Sequence, residues 1–294
     1  MPTFETSRFS THFTDTGCGE TVVLLHAGGT SSAHWRKVTP LLGGDYRLLA
    51  PDLIGFGETV FRDVHEDASH DDQADLVREL LDHTGQQRVH VIGHSFGGAT
   101  AMRLAVRFPH MIKRLVLIEP VLTPLLRQAG DMALYEDARA KALAFIDDAR
   151  SGRDVAAWRR FIDGHNGHGT WDTLSDKARE RFVGMTVQTA AAYKANLGSP
   201  TNLRDLANLA VPTQVICGGK TDDAFGRICE ILGAHINSCN VEKIADAAHM
   251  SPLTHAEPVV TAIRSHLTTA IAGRPAGRDV APDMVRDITQ DLAA

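Results

Sequence analysis

The sequence predicts an α/β fold, a mainly parallel sheet with helices on both faces. Two observations predict it. Short apolar runs bounded by turn residues recur along the chain, and most are followed by a longer stretch of helical periodicity. One long interval breaks this rhythm with helical pattern alone, as an insertion between two parallel strands would.

Residues 21–26 (Thr-Val-Val-Leu-Leu-His) read as a buried strand, and residues 46–50 as the next. A helical pattern covers residues 73–83. Residues 88–92 form a strand followed by a helix over 97–108, and residues 114–118 form another strand. The last two strands, 213–217 and 240–244, are each followed by a helix, at 224–234 and 257–271. Near-continuous apolar runs alternating with helices are the pattern of a parallel sheet buried on both faces. Residues 8–14 alternate in polarity and are expected as an antiparallel edge hairpin with their neighbour. Between residues 121 and 209 the pattern gives helices at 132–149, 154–162, 175–184 and 187–196 and no convincing strand. An insertion of this size is expected as a cap over the carboxyl edge of the sheet, where α/β proteins bind ligands. The core is thus expected from residues 1–120 and 210–272, and the cap from 121–209. A tail at 273–294 is expected to hold a short amphipathic helix.

The 294 residues are 43% hydrophobic and 22% charged, ordinary for a globular chain, with a formal net charge of −6. No basic run exceeds a pair such as Arg159-Arg160, which argues against nucleic acid as a partner. No apolar stretch approaches the roughly 18 residues that span a bilayer. The first 19 residues lack an apolar leader core, so a cytoplasmic location is expected. The four cysteines form no CxxC pair and no zinc spacing, so reduced thiols and no metal are expected. The expected partner is a small-molecule substrate, with no cofactor. A homo-oligomer is compatible with the tail.

Chemistry is carried first by Gly93-His94-Ser95-Phe96-Gly97, followed by Gly98. About one chain in ten of this length contains G-x-S-x-G by chance, so the context must carry the argument. Here the motif follows a strand and opens a helix. A tight strand-to-helix turn lifts a serine hydroxyl above the sheet, and the helix N-terminus offers unpaired N–H groups to a developing oxyanion. A second backbone donor is expected from His26-Ala27-Gly28-Gly29, at the end of the first buried strand. The donors expected are the N–H groups of Gly28 and Phe96. The third signal is His249, in Ala247-Ala-His-Met-Ser-Pro252, between the last strand and the last helix. That position puts an imidazole at the carboxyl edge, level with Ser95, able to take and return a proton.

These residues make the chain resemble the α/β-hydrolase superfamily over about residues 8–272, as a capped serine hydrolase with an eight-stranded sheet. Asp52-Leu-Ile-Gly-Phe-Gly57 resembles the D-x-x-G-x-G loop of capped members. Residues 211–218 and 249–258 resemble the stretches that lead to the acid and that carry the histidine. Two departures accompany the likeness. The usual His-Gly dipeptide is His26-Ala27. Most members also carry an Asp three residues after the glycine ending the strand at 213–217, and that position is Thr221 here. Asp222 lies one residue late and stays an alternative. The favoured acid is Glu119, in Leu117-Ile-Glu-Pro-Val-Leu122, because some haloalkane dehalogenases of this fold place their acid at the end of the preceding strand. Either site is near enough for a carboxylate to orient the imidazole.

The catalytic set expected is therefore Ser95, His249 and Glu119, acting on a carboxylic ester or lactone through an acyl-enzyme. Carbon–carbon bond hydrolysis and amide hydrolysis are same-fold alternatives, and an inactive binding module is the alternative of another class. Trp158, Trp171, Phe161, Phe182 and Met185, all in the insertion, are candidates to line the acyl pocket or to form the insertion's own core. Gly219-Lys220-Thr221 lacks the earlier glycine of a phosphate loop, and His65-Glu66 is followed by His70, one residue too far for a zinc-protease motif.

Overall fold

The computed structural model describes residues 2–61 and 67–269. The tail expected at 273–294 lies outside the described residues. The strands are β1 (Thr3–Glu5), β2 (Phe9–Thr16), β3 (Glu20–Leu25), β4 (Tyr46–Pro51), β5 (Val60–Phe61), β6 (Val89–His94), β7 (Ile112–Ile118), β8 (Thr213–Gly218) and β9 (Cys239–Ile244). Eight of them form one path, β1-β2-β4-β3-β6-β7-β8-β9, and the two-residue β5 also pairs with β2. From β4 to β9 every pairing is parallel, while β2 runs antiparallel to β1, β4 and β5. The expected edge hairpin is thus β1 with β2.

The longer helices are α1 (His70–His83), α2 (Phe96–Arg107), α3 (Met132–Arg150), α4 (Asp154–Asn166), α5 (Asp176–Val183), α6 (Thr186–Leu197), α7 (Asp223–His235) and α8 (Ala256–Thr268). Successive strand residues point to opposite faces of the sheet, so each buried strand feeds two cores. Val23, Leu25, Val91, Leu115 and Leu117 meet α1, α2 and α7 on one face. Val22, Leu24, Ile92, Val116 and Ile118 meet Trp35, Leu42 and α8 on the other. Between β7 and β8 the described residues are helical, with no strand. Phe145, Trp158 and Trp171 form a separate apolar cluster among those helices.

Helix α1 starts three residues before the apolar pattern shows it. Ser69 caps the first turn and exchanges bonds with Asp72 in a capping box, so polar residues nucleate the helix. The β6–α2 junction is the tightest in the fold. A Cβ on Gly97 would stand 2.2 Å from the carbonyl oxygen of Leu25 and 2.5 Å from that of His26. The bare backbone there lets α2 rest on the end of β3.

Four buried histidines tie the loops at this edge together. His26 Nε2 accepts from the Leu53 N–H at 2.9 Å, which fixes the proton on Nδ1, where it is donated to the Ala27 carbonyl at 2.8 Å. His94 Nε2–H donates to the His249 carbonyl at 2.7 Å, and its Nδ1 accepts from His34 Nε2–H at 3.0 Å. His70 bridges Thr100 and Asn196 at 3.0 and 2.9 Å. Burial pushes His26 and His70 down to about 4, His34 to about 3, and His94 well below the ordinary value of 6.5.

Two outcomes follow. Gly97→Ala is expected to destabilise the protein by about 3 kcal/mol in urea denaturation, because the clashing atoms are backbone. Gly164→Ala, with open space around its Cβ in α4, is expected to add about 0.5–1 kcal/mol. The histidines set the second outcome. Their folded values lie below their unfolded ones, so the unfolded chain takes up protons first on acidification. Stability present above pH 6.5 is therefore expected to fall between about pH 6.5 and 4, by roughly 1.4 kcal/mol per pH unit for each histidine. An unfolding midpoint that stays constant from pH 7 to pH 4.5 would contradict this.

Candidate active site

Ser95 lies between the end of β6 and the start of α2, at φ 57° and ψ −117°. Only one other non-glycine residue among those described has a positive φ, and it is Glu119, at 40°, just past the end of the neighbouring strand β7. Strained backbone at two adjacent strand ends needs firm support. The parallel ladder supplies it by running one residue further. Ser95 N–H donates to the Ile118 carbonyl at 3.0 Å, and Glu119 N–H to the Ile216 carbonyl at 3.1 Å.

The loop after β9 brings His249 onto both. Its Nδ1–H donates to Glu119 Oε2 at 2.8 Å, which leaves Nε2 as an acceptor for the Ser95 hydroxyl at 3.0 Å. Glu119 is fully buried. Its Oε1 accepts from the Gly218 N–H at 2.6 Å, and its Oε2 also accepts from the Thr221 hydroxyl at 2.7 Å. Both carboxylate oxygens thus accept hydrogen bonds, as an enclosed carboxylate requires. A side chain on Gly218 would meet the Ala247 carbonyl oxygen at 2.4 Å and Glu119 Oε1 at 3.0 Å, so the close approach depends on that glycine.

The imidazole is held on its flat faces too. Phe225, from α7, stacks on His249 with centroids 4.1 Å apart and planes 10° from parallel. The His94 ring lies 4.9 Å away and tilted by 43°. A hydroxyl, an imidazole and a carboxylate in one chain can move a proton off the hydroxyl when it attacks an electrophile.

Two backbone donors beside Ser95 are without acceptors among the described residues. The N–H groups of Ser95 and Gly97 are taken by carbonyls, that of Gly97 by His26 at 3.1 Å. The Phe96 N–H between them has no acceptor among the described residues, and neither has that of Gly28. A Cβ on Gly28 would lie 3.5 Å from Phe96 Cβ, so the two segments are in contact.

A cavity of about 240 Å³ opens over this group, with Ser95, His249, Gly28 and Phe96 in its wall. The inserted helices close it from above with Phe145, Phe161 and Tyr193, and α7 adds Phe225. Lys141, Arg160, Asp137 and Asp222 add charge. Of the five bulky insertion side chains read as candidates for this wall, only Phe161 lines it. Trp158 and Trp171 are buried in the insertion's own cluster, with Phe182 and Met185 packed against them. An insertion that folds on itself needs its largest rings for its own core.

Ser95, His249 and Glu119 are therefore brought together, with Gly28 and Phe96 beside them. Asp222 is placed elsewhere. It caps α7 by accepting from the Ala224 N–H at 2.9 Å, and stands 3.6 Å from Lys141. Sequence reasoning missed Thr221, Phe225 and the His34–His94 pair, because each acts through a contact between distant segments. Among the described residues no three His, Cys, Asp or Glu side chains converge to hold a metal ion, and no helix is long and apolar enough to cross a membrane.

Comparison with known proteins agrees with this architecture. The 2-hydroxy-6-oxo-2,4-heptadienoate hydrolase of Pseudomonas putida is 39% identical over 119 residues, 38% of this chain and 41% of that protein. A soluble epoxide hydrolase of a Corynebacterium strain is 36% identical over 120 residues, 41% of each chain. The chain thus spans about two fifths of the length of these curated relatives. Among solved structures, the carboxylesterase CesB of Bacillus subtilis matches with a TM-score of 0.71 at 21% identity, over 92% of this chain and 91% of that one. A meta-cleavage product hydrolase of Pseudomonas fluorescens matches at 0.66 and 19%, over 88% and 94%. These likenesses show the fold. The alpha/beta hydrolase family model matches residues 22–262, most of the chain, and the protein belongs to that family.

Proposed function

We propose that the protein is a serine hydrolase that cleaves a small-molecule carboxylic ester or lactone through an acyl-enzyme. The observation that carries this reading is the continuous Ser95–His249–Glu119 hydrogen-bond chain, at 3.0 and 2.8 Å, in the wall of a largely apolar cavity. Ser95 Oγ attacks the carbonyl carbon while His249 Nε2 takes its proton. Glu119 holds the imidazole with its proton on Nδ1 and stabilises the cation that forms. The amides of Phe96 and Gly28 receive the oxyanion. The tetrahedral intermediate collapses, and His249 returns the proton to the departing alkoxide oxygen. Water then attacks the acyl-serine with His249 again as base, releasing the acid and restoring Ser95. The inserted helices act as the cap that keeps the acyl group from bulk water.

A second reading is hydrolysis of a carbon–carbon bond beside a ketone. The names of several curated relatives favour it, since they are hydrolases of 2-hydroxy-6-oxo dienoates. Both readings use the same serine, so the leaving group separates them.

The first test is a substrate panel on the full chain: p-nitrophenyl esters of increasing acyl length, matching anilides, and a 2-hydroxy-6-oxo dienoate. Within this panel the short acyl esters are expected to turn over faster than the longer ones and the anilides. Turnover of the dienoate alone would replace the ester reading by the carbon–carbon one, and no labelling of Ser95 by a fluorophosphonate would leave a binding protein. The second test compares carboxylates. Glu119→Gln is expected to lower kcat/KM by about 10³–10⁴, and Asp222→Asn to change it less than about threefold. The reverse pattern, in folded variants, would move the acid to Asp222.

A further inference from the structure

Helix α6 turns one face to the cavity, with Thr189, Tyr193 and Asn196 spaced by about one turn each. Asn196 is 7% exposed. Its Oδ1 accepts from His70 Nε2–H at 2.9 Å, and the second nitrogen of His70 is fixed by Thr100 at 3.0 Å. The amide plane is thereby held, and its Nδ2 has no hydrogen-bond partner among the described residues. The Tyr193 hydroxyl, one turn earlier on the same face, has none either. Burial raises its pKa, so it stays protonated and able to donate. Phe96, Phe145 and Phe161 line the same cavity and offer no side-chain acceptor, while the carboxylates in its wall, Asp137 and Asp222, are paired with Lys141 at 2.7 and 3.6 Å. Two donors that face a largely apolar cavity are best met by a ligand that supplies an oxygen. Such a chamber selects strongly for ligands that have the matching group, because those without it leave the donors unpaired.

We propose that Asn196 Nδ2 and the Tyr193 hydroxyl form a polar subsite for a second oxygen on the substrate's acyl group, a ketone or carboxylate oxygen a few bonds from the scissile carbonyl. The substrate class is then an oxygen-bearing acyl compound and not a plain alkanoyl ester. The assignment rests on the reading of Ser95 as nucleophile, since that serine sets which carbonyl is attacked. His70 is the positioning residue: it holds the amide of Asn196 without touching the substrate.

The experiment has two arms. In the first, kcat/KM is compared for p-nitrophenyl 4-oxopentanoate and p-nitrophenyl pentanoate, each corrected for spontaneous hydrolysis. In the second, Ser95→Ala protein is titrated calorimetrically with 4-oxopentanoate and with pentanoate, which needs no turnover. The oxygenated member is expected to be preferred about tenfold in both arms, the worth of one well-made hydrogen bond. Asn196→Leu is expected to bring the ratio close to one. Tyr193→Phe, which removes one atom and strands no buried partner, is expected to lower it about threefold and serves if Asn196→Leu does not fold. Equal affinities in the second arm, or a preference that survives both substitutions, would overturn the subsite. Failure to hydrolyse either ester, with discrimination intact in the second arm, would instead overturn the ester reading and leave the subsite standing.

Discussion

The structure depends on one close approach. Where β6 becomes α2, the backbone of Gly97 passes within reach of the carbonyls of Leu25 and His26, at and just past the end of β3, and there is no volume for even a methyl group. That contact sets the angle at which the helix leaves the sheet. It obliges Ser95 to occupy a backbone conformation that a side chain disfavours, and so raises its hydroxyl over the rim. The Phe96 amide, one of the two proposed to receive an oxyanion, is a by-product of the same geometry, because the first N–H groups of a helix have no carbonyl within it. The strain, the raised hydroxyl and that one donor therefore have a single origin.

Much of this was legible in the sequence, for a physical reason. A strand that is apolar on both faces, a turn that tolerates only small residues, and a helix directly after it are all local properties, and local properties are written in consecutive residues. The parallel sheet, the place of Ser95 and the place of His249 could be read in this way. Glu119 and Asp222 could be ranked only by resemblance, since both sit at the right edge. What separates them is a third-party contact. Gly218 and Thr221 reach back to Glu119, while Asp222 is occupied as a helix cap. Such pairings join residues about a hundred positions apart and leave no periodic trace. The same holds for the ring of Phe225 lying flat on His249.

The inserted helices show the limit from the other side. Their boundaries followed from amphipathic spacing, yet spacing did not tell which large rings face the cavity and which face each other. Packing decided it. Trp158, Trp171 and Phe182 are consumed in giving the insertion a core of its own, and Phe145 serves both that core and the cavity wall. The chamber wall is left to one face of α6 and to the inward sides of α3 and α4. Polar groups on that face are consequently few, and the amide of Asn196, held by His70, stands out against its surroundings.

The position of Glu119 has a consequence for how this protein can diversify. With the carboxylate mounted on the strand beside the serine's own, the backbone amide it needs comes from Gly218 at the end of β8, and the segment that follows has only to offer one hydroxyl. The first position must stay glycine, and Ser or Thr furnishes the second. That segment also lines the cavity, through Asp222 and Phe225. It is consequently free to drift in length and character over generations, retuning admission to the chamber while the reacting groups keep their mutual alignment.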